Sequence, residues 1–384
     1  MFDHVVVGAG FAGAVFAREF ASAGGRVLLI EKRGHIGGNC YDYHDEHGIL
    51  VHKYGPHLFH TSNGDVFRYL GQFTKWLEYQ HRVLALVDGR QVPLPFNLNA
   101  LKVLFPESKA ALLEKRLIET FGFDVKVPIL DLQKTDDSDL KELADFIYNK
   151  IFVNYTVKQW DCRPENISSE VMGRVPVFIS RDDRYFQDRY QAVPRYGYTR
   201  LFERILDHPR IHLLLNTDYR DVLGIDFDEK IIRLFGMPFL GNLVYTGMID
   251  GLCDYCFGRL PYRSLYFDFE HLEQEFFQDA AVVNYPNDYD FTRITEFKRI
   301  SGQNGDWTTI LREYPGPYDP ADYRRKIPCY PVFIDENTRT YEKYAEYVGQ
   351  LEQIILIGRL AEYRYYDMDD VVARVLAMTK VDTR

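Results

Sequence analysis

The chain has 384 residues, of which 46% are hydrophobic and 27% are charged, as in an ordinary folded protein and unlike a disordered one. Its net charge of −10 disfavours a nucleic-acid partner, because an acidic surface repels phosphates. No apolar run approaches the roughly 18 residues of a membrane span, and the five cysteines do not indicate a disulfide framework. We therefore expect a cytoplasmic protein without a membrane span. The aromatic content of 15% suggests a site that stacks against planar ligands.

The first forty residues combine two strands, a glycine-rich turn and a helix. His4 to Val7 is a β-branched run that predicts a buried strand, and a helical pattern covers Ala14 to Ala23. Between them lies Gly8-Ala9-Gly10-Phe11-Ala12-Gly13, and a second strand, Val27 to Ile30, ends at Glu31. A GxGxxG turn in this context is the dinucleotide-binding fingerprint, in which the glycines admit a pyrophosphate and the acidic residue binds ribose hydroxyls.

The residues after Glu31 favour FAD over NAD as the dinucleotide. Glu31 to Gly38 has the form E-x-R-x-x-x-G-G, which resembles FAD-binding enzymes of the amine oxidase and glutathione reductase type. Near the C-terminus, a strand over Ile354 to Ile357 ends at Gly358-Arg359, and a helix is predicted after Asp367. The N-terminus of that helix can stabilise the negative charge of a reduced flavin.

The middle of the chain is predicted to begin with a hairpin and to become helical. Val83 to Val87 and Asp88-Gly89 predict a strand followed by a tight turn. Residues 97–178 favour helices, most clearly Asp139 to Ile151, where Asp139 and Glu142 resemble a capping box. Leu140, Leu143, Ile147 and Ile151 form the apolar stripe of that helix.

Alternating strands are predicted from Tyr262 to Tyr314, with Asn304-Gly305 as a hairpin turn. The fold class is therefore α/β: a discontinuous Rossmann-like FAD-binding domain, with an inserted helical lobe and a mainly antiparallel β-sheet domain. We assign 1–78, 191–250 and 342–384 to the FAD-binding domain, 97–180 to the helical lobe with a mobile loop, and 79–96 with 251–341 to the sheet domain that binds substrate.

Four motifs together resemble the bacterial UDP-galactopyranose mutases. They are Tyr54 to Thr61, Tyr155 to Trp160, Thr292 to Glu296 and Gly358 to Asp369, and the resemblance runs nearly end to end in the same order. It implies an enzyme that interconverts UDP-galactopyranose and UDP-galactofuranose, a ring contraction with no net redox change. It also implies that N5 of reduced FAD forms a covalent adduct with the sugar while UDP departs and returns.

The resemblance assigns roles to individual residues. Arg174 and Arg293 match two arginines that clamp the diphosphate, His60 matches a histidine near the flavin, and Arg359 matches an arginine at its reactive side. The substrate-binding set that it implies is Phe152, Tyr155, Thr156, Trp160, Tyr185, Arg263, Asn284, Tyr330, Tyr365 and Asp367. The cofactor-binding set is Gly8, Gly10, Phe11, Gly13, Glu31, Lys32, Arg33, Gly38, Asn39, His57, Gly358, Arg359, Asp367 and Met368. Tyr365 and Tyr366 would alternate in an extended segment, so only one of them can face the ligand, and the resemblance implies that it is Tyr365.

The chain departs from the family pattern at three places. Asn154 stands in a segment that commonly has a Lys-Gly pair, and Cys329 precedes Tyr330 where a tyrosine is common. Gly224 to Leu243 is longer than expected and predicts a surface loop between strands. Whether the sugar must carry a hydroxyl or can carry an N-acetyl group at its 2-position stays open.

The expected partners follow from the same resemblance. There is no second GxGxxG motif for a nicotinamide nucleotide, so an external reductant such as NAD(P)H or a flavin reductase must reduce the flavin. The family suggests a homodimer and a place in the synthesis of cell-surface polysaccharides. The alternatives are the same reaction on UDP-N-acetylgalactosamine, an amine-oxidase-type flavin oxidoreductase, or a non-catalytic flavin protein that binds a partner through its aromatic residues.

A histidine-rich segment raises the question of a metal site. His44, His47, His52, His57 and His60 lie close in sequence to Asp45 and Glu46. Their spacings follow no standard zinc pattern, so the sequence predicts no metal site.

Overall fold

The computed structural model describes residues 2–160, 176–322 and 324–381. The strands in these ranges are β1 (His4–Val7), β2 (Val27–Ile30), β3 (Asp42–His44), β4 (Leu50–His52), β5 (Phe59–Thr61), β6 (Trp76–Glu78), β7 (Val83–Val87), β8 (Arg90–Leu94), β9 (Val125–Val127), β10 (Val177–Ile179), β11 (Tyr190–Pro194), β12 (Ile211–Leu214), β13 (Leu223–Asp226), β14 (Ile231–Leu234), β15 (Met237–Pro238), β16 (Asn242–Tyr245), β17 (Tyr262–Leu272), β18 (Val282–Asn284), β19 (Arg293–Glu296), β20 (Thr308–Pro317), β21 (Tyr330–Pro331) and β22 (Ile354–Leu356).

Helices of very different length alternate with these strands. They are α1 (Phe11–Ser22), α2 (Gly64–Gly71), α3 (Leu98–Leu104), α4 (Glu107–Phe121), α5 (Ile129–Leu132), α6 (Ser138–Ile147), α7 (Val153–Trp160), α8 (Tyr198–Leu206), α9 (Ile249–Leu252), α10 (Lys298–Ser301), α11 (Asp335–Gly349) and α12 (Met368–Val381), with a π-helical turn at Tyr148–Phe152. None of the helices in the described part of the chain has the length and apolarity that a bilayer crossing requires.

A five-stranded parallel sheet carries the N-terminal glycine turn. Its strand order is β12-β2-β1-β16-β22, so its strands come from well-separated parts of the chain. Alternate residues of its strands enter two separate apolar cores. Val6, Leu29 and Val244 pack with α1, α8 and α12 on one face, while Leu28 and Leu243 pack with β14 and α11 on the other. The Rossmann-like prediction for these strands and for α1 is confirmed.

A seven-stranded sheet in the order β21-β17-β20-β19-β18-β7-β8 forms the second large layer. All its neighbours are antiparallel except β18 and β7. The predicted hairpin is confirmed, since Val87 pairs with Arg90 across a two-residue turn. Asp88 and Gly89 both adopt positive φ, which is the conformation that such turns require.

Helices dominate residues 98–160 of the predicted helical region, but the start of its clearest helix is not where the sequence suggested. The apolar stripe from Leu140 to Ile151 is buried as expected. The N-cap of α6 is Asp137, whose carboxylate accepts from the backbone N–H groups of Asp139 and Leu140. The expected cap at Asp139 was therefore wrong by two residues. Arg116 bridges Asp137 and Asp139 and favours this arrangement.

Two other local predictions were wrong. Asn304-Gly305 is not a two-residue hairpin turn, because the short helix α10 lies between β19 and β20. The buried amine of Lys298 donates to the carbonyls of Gly305 and Trp307 and holds this longer connection. Gly224 to Leu243 is not a loop either, since β13, β14 and β15 form a three-stranded antiparallel sheet there.

The start of helix α8 depends on a carboxylate that is distant in sequence. Gly197, the N-cap residue, has no side chain to cap the helix. Asp42, which is 3% exposed, instead accepts from the backbone N–H groups of Tyr198 and Thr199. The link is reciprocal, because the Thr199 hydroxyl donates to the Asp42 carbonyl. Asp42 thereby ties the β3–β4 hairpin to a helix that packs on α1.

Replacing this carboxylate should destabilise the protein. In Asp42→Ala, two buried N–H groups at the start of α8 lose their acceptor, which typically costs about 1–3 kcal/mol. We expect the midpoint of urea unfolding to fall accordingly. Asp228→Ala, at an exposed position, is the matched control and should leave the midpoint unchanged. Equal midpoints for the two variants would contradict the capping role of Asp42.

Candidate functional site

The glycine turn between β1 and α1 is packed too closely for a side chain at Gly8 or Gly13. A Cβ on Gly13 would lie 1.9 Å from the carbonyl oxygen of Gly8, so only glycine allows α1 to approach the turn. Gly38 lies opposite, with φ of +57°, and a Cβ there would be 2.9 Å from the Cα of Gly10. Two backbone segments thus meet without intervening side chains, as a cradle for a pyrophosphate requires.

A cavity of about 450 Å³ opens beside this turn. Glu31 lies in its wall, and its two carboxylate oxygens accept from the N–H groups of Ala9 and Arg33. Burial and the neighbouring Arg33 lower the pKa of Lys32. Gly13 lies behind the wall, and the other residues predicted to bind the cofactor line the cavity: Gly8, Gly10, Phe11, Glu31, Lys32, Arg33, Gly38, Asn39, His57, Gly358, Arg359, Asp367 and Met368. The shape and the donors of this cavity fit a dinucleotide.

Two further segments line the cavity that the sequence analysis did not identify. Thr217 to Arg220 follows β12, and Thr246 to Met248 follows β16. In a parallel sheet, ligands bind at the carboxyl ends of the strands, so these positions share one edge with the glycine turn. The strand order, which would have revealed them, is not visible in the local sequence pattern.

His57 is held as a neutral ring at the cavity wall. Its Nδ1 lies 2.9 Å from the carbonyl oxygen of Gly55, which can only accept, so Nδ1 carries the proton and Nε2 is an acceptor. Burial and the nearby His52 lower the pKa of His57 to about 3. His52 is fixed in turn, because its Nδ1 accepts from the backbone N–H of His57. His57 therefore stays uncharged at neutral pH.

Arg359 lies between two tyrosines at the other side of the cavity. Its guanidinium carbon is 4.9 Å from the ring centres of both Tyr330 and Tyr365, and these rings are nearly parallel. The same group donates to the carbonyls of Tyr366 and Cys329. Residues 364–367 form no strand, so the expected alternation does not hold. Tyr366 lines the cavity, whereas Tyr365 is not among its lining residues and instead stacks with Tyr330.

A second arginine is paired with a buried carboxylate. The Nε of Arg293 donates to Oε1 of Glu313 at 2.8 Å, and these residues are direct partners on β19 and β20. The Glu313 side chain is 1% exposed and that of Arg293 is 27% exposed. Burial disfavours the charge of Arg293, but Glu313 together with Tyr155 and Tyr330 outweighs burial and raises the pKa of Arg293. Asn284 is the partner of Arg293 on β18.

Tyrosines surround this arginine. Burial raises the pKa of Tyr155 and of Tyr185, while the charge of Arg293 opposes both increases. The charges of Arg359 and Arg293 both oppose the increase that burial causes in the pKa of Tyr330, so the Arg293 group lies near the cofactor cavity, which Arg359 lines. The structure thus brings Tyr155, Tyr185, Asn284, Arg293, Tyr330, Arg359, Tyr365 and Asp367 into one region.

Other predicted site residues have different surroundings. Phe152 is 5% exposed and belongs to the core of the helical region, and Thr156 is 7% exposed. Arg263 donates to the carbonyls of Lys158 and Gln159 at the end of α7, so it stabilises the helix that carries Tyr155. Arg174 lies outside the described residues, and the side chain of Trp160 is likewise outside the description.

His60 lies on β5, beside residues that the sequence analysis had missed. Its Nδ1 is 2.9 Å from a carboxylate oxygen of Asp188, and its ring stacks on Phe186 at 3.6 Å. Phe186 also contacts Tyr185 and His81, and burial lowers the pKa of His81 to about 3. Glu313 was missed as well. It is the one acidic residue of β20, and this was the available signal for it.

Comparisons with known proteins find similar families and relatives along nearly the whole chain. The family model described as UDP-galactopyranose mutase matches residues 150–365, and one for an NAD(P)-binding Rossmann-like domain matches 6–73. The chain is 35% identical to a UDP-galactopyranose mutase of Mycoplasma pneumoniae, over 98% of this chain and 95% of that protein. It is also 35% identical to a dTDP-fucopyranose mutase of Escherichia coli, over 95% and 94%.

Solved structures agree on the fold. A crystal structure of reduced UDP-galactopyranose mutase superposes with a TM-score of 0.73 at 17% identity, covering 100% of this chain and 96% of that one. A putrescine oxidase superposes with a TM-score of 0.61 at 10% identity, covering 100% and 99%.

The close contact at Gly13 generates a prediction about cofactor binding. Gly13→Ala places a methyl group against the Gly8 carbonyl, so the turn or α1 must shift. We expect the variant to purify with little or no flavin, measured from the visible absorption spectrum of the protein. Gly349→Ala is the control, because a Cβ there meets nothing within 4 Å. A fully flavin-loaded Gly13→Ala protein would show that the cradle is not needed.

Proposed function

The chain belongs to the UDP-galactopyranose mutase family, and from this premise we propose that it interconverts UDP-galactopyranose and UDP-galactofuranose with reduced FAD as cofactor. The observation that carries the proposal is the Arg293–Glu313 pair, which lies among tyrosines near the dinucleotide cavity. A nucleotide sugar needs a cation for its diphosphate, and that cation must lie next to the reactive part of the cofactor. Arg293 is such a cation, and it lies near the cofactor cavity.

Reduced FAD, when bound, supplies a nucleophile to the anomeric carbon of the sugar. The glycine turn and Glu31 would hold its pyrophosphate and ribose, and the first turn of α12 lines the same cavity at Met368. A helix N-terminus favours negative charge, so this position suits a reduced, anionic flavin. Neutral His57 offers an acceptor at Nε2 without adding a competing charge.

Arg293 stabilises the departing diphosphate. Its Nε donates to Glu313, and its two Nη groups have no protein acceptor among the described residues. These donors are available to phosphate oxygens, whose charge grows as the bond to the sugar breaks. Tyr155, Tyr185 and Tyr330 add hydroxyl donors. By family resemblance, Arg174 completes the clamp and Trp160 contacts the uracil ring.

The dTDP-linked deoxysugar is the second candidate substrate. The identity to the dTDP-fucopyranose mutase equals that to the mycoplasmal UDP-galactopyranose mutase, so overall similarity does not separate them. UDP-N-acetylgalactosamine is a third candidate. Asn154, which departs from the common family pattern, is exposed and donates to Asn287.

An amine oxidase reaction fits this site less well, although the fold is shared with a putrescine oxidase. The substrate of such an enzyme is an amine, which is a cation at neutral pH in its common form. Arg293 and Arg359 lie in the substrate region, and burial makes their repulsion of a cation stronger than it would be in water.

Several broader expectations belong to the same proposal. They are the three-part domain division of the chain, a cytoplasmic location, a homodimer, an external reductant such as NAD(P)H or a flavin reductase, and a role in supplying galactofuranose to cell-surface polysaccharides. The family resemblance supports these expectations, and the proposed reaction does not depend on any of them.

The experiment is to incubate the flavin-loaded protein with UDP-galactofuranose, once oxidised and once reduced with dithionite, and to separate the products by chromatography. We expect UDP-galactopyranose from the reduced protein alone. Parallel reactions with dTDP-fucofuranose and UDP-N-acetylgalactosamine rank the substrates by kcat/KM. No conversion of any nucleotide sugar by reduced, FAD-loaded protein would contradict the proposal, and oxidation of an amine would favour the oxidoreductase.

The role of Arg293 generates a second test. Arg293→Lys keeps the charge but loses the planar fork that bonds Glu313 and phosphate together, so kcat/KM should fall about 100-fold. Arg312→Lys is the matched control, since Arg312 lies on β20 opposite Ile294 and pairs with Glu270. We expect the control to retain wild-type kcat/KM. Similar kcat/KM values for the two variants would show that Arg293 does not bind the diphosphate.

A further inference from the structure

Two histidines and a glutamate converge where the β3–β4 turn meets β17. Glu46 and His47 lie in the turn, and His271 lies near the end of β17. One ligand atom from each side chain lies within 4.8 Å of the other two. The Nε2 of His47 is 3.8 Å from Oε1 of Glu46. We call these three residues the His–Glu trio.

The ring of His271 is oriented by a hydrogen-bonded relay. Its Nδ1 lies 3.0 Å from the hydroxyl of Thr309, and that hydroxyl donates to Oδ2 of Asp45. Because the hydroxyl proton goes to Asp45, the Thr309 oxygen accepts from Nδ1, which therefore carries the ring proton. The Nε2 lone pair of His271 is left for another partner. A carboxylate behind a histidine in this way is the usual second layer of a metal site.

The ring of His47 is also held in place. It stacks on Trp307 at 3.9 Å between ring centres and 6° between planes, while its backbone N–H donates to the Asp45 carboxylate. The Asp45 side chain is 4% exposed, so one buried carboxylate anchors both histidines of the trio. The side chains of His47 and His271 are 23% and 31% exposed, so ions can reach them from solvent.

We propose that the His–Glu trio binds a divalent transition-metal ion, with Zn²⁺ as the expected occupant. Two imidazole nitrogens and one carboxylate oxygen suit Zn²⁺ and its first-row neighbours, and they leave a fourth position for water. None of the trio is among the described residues that line the cofactor cavity. The ion therefore links the β3–β4 turn to β17, at a site separate from the flavin site.

The test uses the flavin-loaded protein without an affinity tag, stripped with a chelator and titrated with Zn²⁺ in a calorimeter. We expect one ion per chain and a rise in Tm with Zn²⁺ concentration, because the His–Glu trio is assembled, and binds the ion, only in the folded protein. His47→Gln, His271→Gln and Glu46→Gln should each lose the Tm rise. Asp45→Asn, which disturbs the relay, should weaken binding by about 10- to 100-fold.

Matched controls separate loss of the ion from loss of the fold. His44→Gln alters an exposed histidine of the same hairpin outside the trio and should bind Zn²⁺ as the wild type does. The Glu46 side chain is 73% exposed, so Glu46→Gln should keep the flavin content and unfolding midpoint of the metal-free wild type. Absence of Zn²⁺ binding by the wild type, or unchanged affinity in the three trio variants, would overturn the proposal.

Discussion

A carboxylate that is almost wholly removed from water needs hydrogen-bond donors or a cation beside it, and Glu313 is such a group, with a side chain that is 1% exposed. This need is satisfied by Arg293, which stands opposite Glu313 in the register of β19 and β20. The register is set by the long antiparallel pairing of the seven-stranded sheet, so a shift of one residue would turn the two charges to opposite faces. The position of Arg293, which we propose to bind the diphosphate, is thus decided by the sheet.

The region that we propose to bind the substrate lies beside the cavity that we propose to bind the cofactor. Arg359 lines the cavity and also lies between Tyr330 and Tyr365, whose surroundings include Arg293. A leaving diphosphate that Arg293 binds would therefore stay close to the cofactor cavity. That closeness is what a reaction with departure and return of the same nucleotide needs, because a diphosphate lost to solvent would end the cycle.

Sequence patterns succeeded where the determinants were local. The strand–glycine–helix unit at the N-terminus, the Asp88-Gly89 turn and the stripe of α6 were all predicted correctly, since each depends on neighbouring residues. The failures share a different cause. The cap of α6 at Asp137 is reinforced by Arg116 from α4, and the connection after β19 is shaped by the buried amine of Lys298. Such contacts leave no periodic signal in the chain.

The sequence by itself determined the dinucleotide turn, the family and the identity of most residues proposed for the site. Only the tertiary structure decided that Glu313 accompanies Arg293, that Asp42 caps α8, and that His271 joins His47 and Glu46. Each of these pairings joins residues from separate elements. The physical reason is that a charge or a lone pair acts over a few ångströms of space, and which residues come that close is set by strand register and packing.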